Sequence, residues 1–506
     1  MQSNEQSEAS FPEYRLHKTS PIFILFDNIK KLIVPALFAI VSSRGNYWEH
    51  IALGVAALVS VGSIVQYRFY RYWLEEKQIR IKEGILFRNV RQVPYNKIQN
   101  LNLIQNPLHR ILGVVKVQLE SASGGKPEAV INVIDKASVE ELRKKIHQDD
   151  IQSTPSDVTA EQPKGQAAIL KLNLAEIFRY GIISNRGLVA VAIGFGFFSQ
   201  FLDNAKDNFY RNIIGNFVNQ VESSIDAVTV ANSLVSNILL SIVFFIIAVI
   251  SLWLLSIGMA LFKLHEFELV EKNKKLSATM GLLTRLQATI PMSRIQSLTV
   301  HNSLLHRLFK RIGVSVETAG GVNTEQQGVT MKQLAPVLPI TEKIHFLKQV
   351  QDDVDWLAVH WKPIEARAWK RMFKLSVFIW MLVLLPTSMF SIYWYLTLGV
   401  LAAVWSFFYA KLYVKNTGYY LAKDVIAFKS GVVFKKETYV RLPKVQTVDV
   451  TENLFDRRHK MAVLRVDTAG AAAGAHHIEI PYINLQDALT LQATLIKQVK
   501  NIEFQW

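Results

Sequence analysis

Basic residues cluster at three places in this chain, and cations of this kind can bind phosphate or carboxylate groups. The clusters contain Arg110; Arg307, Lys310 and Arg311; and Arg457, Arg458 and Lys460. Near an anionic lipid surface, each Lys or Arg contributes about 1 kcal/mol of attraction. We therefore predict that these residues contact an anionic lipid or a partner. The sequence leaves open an alternative, in which each arginine pairs internally with an acid: Glu120, Glu317 or Asp467.

The three clusters belong to one repeated segment. In every copy a glutamine stands eleven residues before the arginine, and a glycine stands fifteen residues before that glutamine. The glutamines are Gln99, Gln296 and Gln446, and the glycines are Gly84, Gly281 and Gly431. Apolar residues recur between these markers without a gap. Self-similarity at a fixed spacing indicates a repeat architecture, so we predict three copies of one module.

Each module shows the pattern of antiparallel strands. Apolar and polar residues alternate along 100–103 and again along 115–120, and a period of two is typical of half-buried strands. The repeat glycine stands between two alternating stretches, as in a hairpin turn. A capping-box pattern at Ser138 and Glu141 predicts that a helix closes the first module. A matching helix is expected at 485–499.

Composition favours a membrane protein. Half of the 506 residues are hydrophobic and only 19% are charged, with 57 Lys and Arg against 41 Asp and Glu. A basic excess in so apolar a chain suits an anionic membrane surface. There are no cysteines, which excludes disulfides and thiolate chemistry. No motif for nucleotide binding, hydrolysis or metal ligation is present. We therefore predict no catalytic residue, no cofactor, no metal site and no nucleic-acid partner.

Six apolar stretches predict transmembrane helices, arranged as a hairpin before each module. They cover residues 32–40, 51–65, 187–202, 234–262, 375–390 and 392–410. The shorter stretches must borrow flanking residues, because a span needs about 20. Lys and Arg concentrate on one side of these stretches, which places both termini and all modules in the cytoplasm.

These patterns predict eight segments. They are a cytoplasmic tail at 1–21, a first transmembrane hairpin at 22–67, a first β domain at 68–148, a flexible linker at 149–166, an amphipathic segment and second hairpin at 167–263 with an external loop at 203–233, a second β domain at 264–352, an amphipathic segment and third hairpin at 353–411, and a third β domain at 412–506.

Three stretches resemble the YdbT-like family of bacterial membrane proteins with pleckstrin-homology-like (PH-like) domains. These are Val-Pro-Tyr-Asn-Lys-Ile-Gln at 93–99, Asn-Pro-Leu-His-Arg-Ile-Leu-Gly at 106–113, and Glu-Thr-Ala-Gly-Gly at 317–321. The resemblance implies three antiparallel β-barrel domains of about seven strands, each with a C-terminal helix, and a location in the bacterial inner membrane. The third copy departs from the family pattern, with Arg441 replacing a proline and Asp456 replacing a histidine.

The resulting functional hypothesis is a non-enzymatic scaffold or accessory component of an envelope complex. The resemblance also implies a role in antimicrobial tolerance and a partner that is a smaller, single-domain paralogous membrane protein. Membrane lipids are the other expected partner, and an oligomer is compatible with the sequence. The alternative is a transporter or lipid-handling membrane protein, which would need a polar cavity among the predicted spans.

Overall fold

The computed structural model describes residues 12–23, 25, 54, 62, 65, 67–84, 88–121, 128–148, 168–184, 233–318, 333–352, 354–356, 359–389, 391–468 and 478–500. The predicted linker at 149–166, the predicted spans at 32–40 and 187–202 and nearly all of the external loop at 203–233 lie outside these residues. So does most of the span predicted at 51–65.

Within the described residues, every copy of the repeat contains seven strands. Copy 1 has β1 (Glu13–Arg15), β2 (Arg71–Leu74), β3 (Gln78–Glu83), β4 (Asn89–Pro94), β5 (Ile98–Gln105), β6 (Val114–Ser121) and β7 (Ala129–Asp135). Copy 2 has β8 (Leu170–Lys171), β9 (Glu268–Lys272), β10 (Lys275–Met280), β11 (Arg285–Pro291), β12 (Ile295–Asn302), β13 (Arg311–Thr318) and β14 (Gln333–Pro339). Copy 3 has β15 (Lys362–Pro363), β16 (Gly418–Leu421), β17 (Val425–Ser430), β18 (Lys435–Arg441), β19 (Val445–Thr451), β20 (Met461–Thr468) and β21 (Ile478–Asn484).

Helices close each copy and interrupt its strand order. The closing helices are Lys136–Gln148, Lys343–Val350 and Leu485–Lys500, and the short helices at the basic clusters are Pro107–Ile111, Leu304–Leu308 and Leu454–His459. Four longer segments, Leu174–Ile183, Ser233–Leu264, Ala368–Leu384 and Ile392–Asn416, lie between the first and second strands of copies 2 and 3. The prediction of three repeated PH-like β domains is confirmed.

The strands of one copy are shared between two sheets. Strands β1 to β4 form the first sheet, and the second runs β7-β6-β5-β11-β10-β9-β8. The third sheet runs β14-β13-β12-β18-β17-β16-β15, and the last contains β19, β20 and β21. The C-terminal halves of copies 1 and 2 therefore continue into the N-terminal half of the next copy. All pairings among the described strands are antiparallel, as the alternating pattern predicts.

Alternation places one face of each sheet in a core. In copy 1, Ile79, Leu119 and Ile131 are fully buried, and Leu142 of the closing helix packs with them. Burying a side chain of this size stabilises the fold by about 1.5–3 kcal/mol. The core of copy 2 also includes Tyr439 from copy 3, so the two copies share buried surface as well as strand pairing.

The prediction of six transmembrane helices is wrong. In the part of the chain that the structure describes, one helix is long and apolar enough to cross a membrane, namely Ile392–Asn416 with 25 residues. Its neighbour Ala368–Leu384 has 17 residues, which is about 26 Å at 1.5 Å per residue. This is shorter than a hydrocarbon core of about 30 Å.

Two sequence features keep this helix from being a long apolar span. Its first turns contain Lys370, Arg371 and Lys374, and a 3-10 turn with Pro386 replaces the helix after Leu384. The prediction at 375–390 counted apolar residues across that turn. In Ser233–Leu264, the segment that qualifies as a shorter apolar helix is Val249–Leu264.

Candidate functional site at the junctions between copies

The short helices at the basic clusters of copies 2 and 3 begin at a residue whose side chain caps them, whereas the short helix of copy 1 begins at Asn106 without a side-chain cap. In copy 2, the Ser303 hydroxyl accepts a hydrogen bond from the backbone N–H of His306, and the His306 ring accepts from the Ser303 backbone. In copy 3, the Asn453 side chain accepts from the backbone N–H of Asp456 at 2.8 Å. Such reciprocal caps satisfy otherwise unpaired helix N–H groups.

In copies 1 and 2 this arginine reaches the next copy. An Nη atom of Arg110 donates to the carbonyl oxygen of Leu282 at 3.3 Å. Arg307 donates to the carbonyl oxygens of Val432 and Val433 at 2.7 and 3.0 Å. Hydrogen bonds from charged donors contribute about 1.5–3 kcal/mol. These two arginines therefore stabilise the junctions between copies.

The acceptor turn is the one that contains the repeat glycine. Leu282 directly follows Gly281, and Val432 directly follows Gly431. These glycines have φ of 111° and 104°, a region that L side chains rarely adopt. A Cβ at Gly431 would also collide with the carbonyl oxygen of Phe434. The repeat arginine of one copy thus donates to the turn that contains the repeat glycine of the next copy.

The other repeat-marker residues have different surroundings from copy to copy. Gly84 has φ of 105°, like its equivalents. Gln296 is buried and its amide donates to the carbonyl oxygen of Arg294 at 3.3 Å, whereas Gln446 is exposed. The side chain of Gln99 lies outside the described residues. Burial of the glutamine therefore differs between a copy followed by another and the last copy.

The two junctions have the same strand register. At the first, Leu103 lies opposite Gln287, and at the second, Val300 lies opposite Glu437. In both pairs, the fourth residue after the glutamine of one copy lies opposite the ninth residue before the glutamine of the next copy. Thr299 and Thr438, which are also opposite, have hydroxyl oxygens 3.2 Å apart.

Two ion pairs join a module to the helix that precedes its longest helix. Arg311 donates to both carboxylate oxygens of Glu176 at 2.9 and 2.8 Å. The hydrogen bond from Arg311 lowers the pKa of the Glu176 carboxyl. In copy 3 the direction of charge is reversed, and Arg371 of helix Ala368–Leu384 pairs with the buried Asp456. Arg311, predicted as a lipid contact, is therefore engaged inside the protein.

The residues at the histidine position of the short helix differ in burial: His109 and Asp456 are buried, whereas His306 is partly buried. Burial, with a smaller contribution from His301, lowers the pKa of His306 to about 4. In copy 1 the ring of His109 packs on Phe23, with 3.9 Å between ring centroids. Asp456 occupies the same position in copy 3 and caps its own helix while pairing with Arg371. The departure from the family pattern therefore has a local structural purpose.

The remaining basic residues of the clusters are exposed. They are Lys310, Arg457, Arg458 and Lys460. Lys310 and Lys460 have positive φ, like Gly113 at the equivalent position of copy 1. Of the acids considered as internal partners, Glu317 accepts from the Ser297 hydroxyl at 3.1 Å and Asp467 accepts from the backbone N–H of Thr468 at 3.1 Å. Glu120 has no described side chain.

Sequence reasoning missed Glu176 and the acceptor carbonyls. Glu176 was detectable as an acid in the first turn of an amphipathic helix whose N-cap is Asn173. The carbonyl acceptors carry no sequence signal, because every residue has one. Among the described residues, no group of three His, Cys, Asp or Glu side chains could hold a metal ion.

Seven antiparallel strands with a closing helix, repeated three times and linked by arginine contacts, define a multi-copy PH-like β protein. The chain belongs to the family described as Bacterial PH domain, which matches residues 29–150, 224–343 and 373–499. It is also similar to the UPF0699 transmembrane protein YdbT of Bacillus subtilis (strain 168), with 23% identity over 466 residues that cover 88% of this chain and 91% of that protein. No solved structure matches the chain.

Proposed function

We propose that this protein is a non-enzymatic, membrane-anchored scaffold that holds three PH-like domains in a fixed array. The observation that carries the proposal is the repeated junction. Strand pairing in a constant register and an arginine that spans to the next turn fix each copy against its neighbour. A chain of independent binding modules would be joined by flexible linkers instead. Fixed spacing suits the assembly of several partners at one surface.

Membrane anchoring rests on the helix Ile392–Asn416 and on the relative, whose name describes a transmembrane protein. Apolar side chains such as Trp394, Leu401 and Trp405 are more than half exposed along this helix, as expected of a surface that faces lipid. Lys411 and Lys415 lie at its C-terminal end, next to copy 3. By the positive-inside rule, these lysines support a cytoplasmic position for copy 3.

Anionic lipid headgroups are the ligands that we propose for the exposed basic residues. Lys310, Arg458 and Lys460 are free to meet a negatively charged surface, whereas Arg110, Arg307 and Arg311 are occupied in internal contacts. Attraction of about 1 kcal/mol per cation would orient the array against the bilayer. An envelope process such as antimicrobial tolerance is compatible with a scaffold at this place.

Cysteine accessibility tests the membrane arrangement, because the chain contains no cysteine of its own. Met389, just before the helix Ile392–Asn416, is 89% exposed, and Lys436 is an exposed residue of copy 3. We expect an impermeant maleimide to label Met389→Cys in intact cells, and to label Lys436→Cys only after the membrane is opened. Labelling of Lys436→Cys in intact cells would reject the cytoplasmic placement.

Co-purification tests the scaffold itself. The full chain in mild detergent should retain specific envelope proteins, and an Arg307→Ala variant with a weakened junction should retain fewer of them at equal expression. Retention of the same proteins by the variant would show that a fixed array is not needed. Turnover of any substrate by the purified chain would reject a non-enzymatic role.

A further inference from the structure

The array ends in two strands that have an edge without a neighbour among the described residues. β4 is the last strand of the first sheet, whereas its equivalents β11 and β18 pair with the preceding copy. β19 is an outer strand of the last sheet, whereas its equivalents β5 and β12 pair with the following copy. The strand that would pair with β4 is therefore an equivalent of β19, and the strand that would pair with β19 is an equivalent of β4.

Exposure differs accordingly between internal and terminal strands. Where β12 pairs with β18, Gln296 and Ser297 are 4% and 1% exposed. Their equivalents in β19, Gln446 and Thr447, are exposed. On β4, Val90 is 51% exposed. The two end strands thus present side chains that the same pairing covers inside the chain.

The register of the two internal junctions determines which residues would meet if β19 of one molecule paired with β4 of another. At both internal junctions, the fourth residue after the glutamine of one copy lies opposite the ninth residue before the glutamine of the next copy. For the two ends, this rule places Val450 opposite Val90. The same rule places Asp449 opposite Arg91, and Glu452 opposite Arg88. These three pairs are one apolar match and two matches of opposite charge.

The opposite charges on the two edges distinguish them from edge strands whose charges only prevent association. Charged residues on an edge strand commonly prevent association, but here the acids lie on one edge and the arginines on the other. Asp449 and Arg91 would occupy the positions of Thr299 and Thr438, whose hydroxyl oxygens are 3.2 Å apart.

Arg91 and Asp449 also have neighbours within their own molecule, and the new pairing does not displace them. Arg91 contacts the carbonyl oxygen of Glu128 at 2.5 Å and is otherwise exposed. On its own sheet, Asp449 lies opposite Arg465, which pairs with Glu479 at 3.1 Å. Opposite charges across antiparallel strands stabilise the pairing.

We propose that the chain associates head to tail with a second copy of itself, through antiparallel pairing of β19 with β4. The new junction continues the register of the two internal ones, so that six or more PH-like copies form one continuous series. A contact of this type joins different surfaces of identical molecules, and therefore builds either a closed ring or an open row. Arg457 also contributes to this junction between molecules. It is equivalent to the two arginines that cross the internal junctions, and it is exposed beside β19.

Charge reversal tests this proposal with the full chain in mild detergent. The wild-type protein should associate with increasing concentration in analytical ultracentrifugation. Arg91→Asp and Asp449→Arg should each weaken association about tenfold or more, because like charges then face each other. A 1:1 mixture of the two variants should associate again, since every contact in an alternating series is then of opposite charge. Lys348→Asp, at an exposed position on the closing helix of copy 2 and outside both end strands, is the matched control.

Cross-linking tests the register. In the cysteine-free chain, Arg91→Cys with Asp449→Cys should form disulfides between molecules on mild oxidation. Asn89→Cys with Asp449→Cys is out of register and should not, while Thr299→Cys with Thr438→Cys should close within one molecule. A wild-type protein that remains monomeric, equal association of the single variants, or a mixture that fails to recover would overturn the proposal. So would a smaller PH-like protein that co-purifies and occupies both edges in place of a second copy. The outcome does not depend on which side of the membrane the array faces.

Discussion

At the scale of single residues, two of the repeat markers, the arginine and the glycine, belong to the same contact between neighbouring copies. The arginine of one copy donates to the residue that follows the glycine of the next copy. The sequence predicted the spacing of both markers, and the glycine as a turn residue. It could not predict the contact, because the acceptors are backbone carbonyls about 125 to 172 positions away.

We expect Gly431→Ala to destabilise the protein. Its φ of 104° disfavours any side chain, and the new Cβ would collide with the Phe434 carbonyl oxygen. The expected loss is about 1–3 kcal/mol of unfolding free energy, measured by thermal unfolding in detergent. Gly258→Ala is the control, because a Cβ at this helical position meets nothing within 4 Å. Equal melting temperatures for both variants would contradict the role of the turn.

The partly buried His306 should make stability depend on pH. Its pKa in the folded protein is about 4, below the unfolded value of about 6.5. Between these values only the unfolded chain binds the proton, so stability falls as the pH drops from about 6.5 to about 4. His306→Gln can keep the cap to Ser303 and should flatten this part of the profile. An unchanged profile would argue against the buried neutral ring, and His459→Gln at an exposed position is the control.

At the scale of elements, the helices around copy 3 show what an apolar stretch can and cannot predict. The sequence located the helices near 375–390 and 392–410, but it did not locate their ends. The first helix begins at Ala368, ahead of its Lys and Arg residues, and ends at Leu384 before Pro386, whereas the second continues through Lys411 to Asn416. Hydrophobic runs indicate where a helix lies, but its ends depend on residues outside the run.

The contact between helix Ala368–Leu384 and the short helix of copy 3 should depend on one carboxylate. Asp456 is 1% exposed, pairs with Arg371 and caps its own helix. Asp456→Ala would leave Arg371 largely buried without its carboxylate, which typically costs about 3–5 kcal/mol. Chemical denaturation measures the loss. Arg465→Ala removes the exposed pair with Glu479 and should cost no more than about 1 kcal/mol. Similar losses in both variants would contradict this difference.

At the scale of the whole molecule, strand pairing between copies could not be predicted from alternation. Each copy contains the same pattern, so a strand of one copy is compatible with partners in its own copy or in the next. In the folded protein the partner comes from the neighbouring copy, since β5 pairs with β11 and β12 pairs with β18. Each three-stranded half thus gains a neighbour instead of leaving an open edge, and three domains become one series.

Weakening one junction should therefore loosen a specific pair of strands. Arg307→Ala removes two hydrogen bonds to the turn between β17 and β18, which we expect to cost about 1.5–3 kcal/mol. Backbone amide exchange should accelerate in β12 and β18, because this junction opens more often. Exchange in β20, which pairs with β19 and β21 inside copy 3, should stay unchanged. Arg458→Ala, at an exposed position of the equivalent cluster, should alter neither. Uniform acceleration across all strands would mean that the arginine supports global stability, and that the copies do not meet at separable junctions.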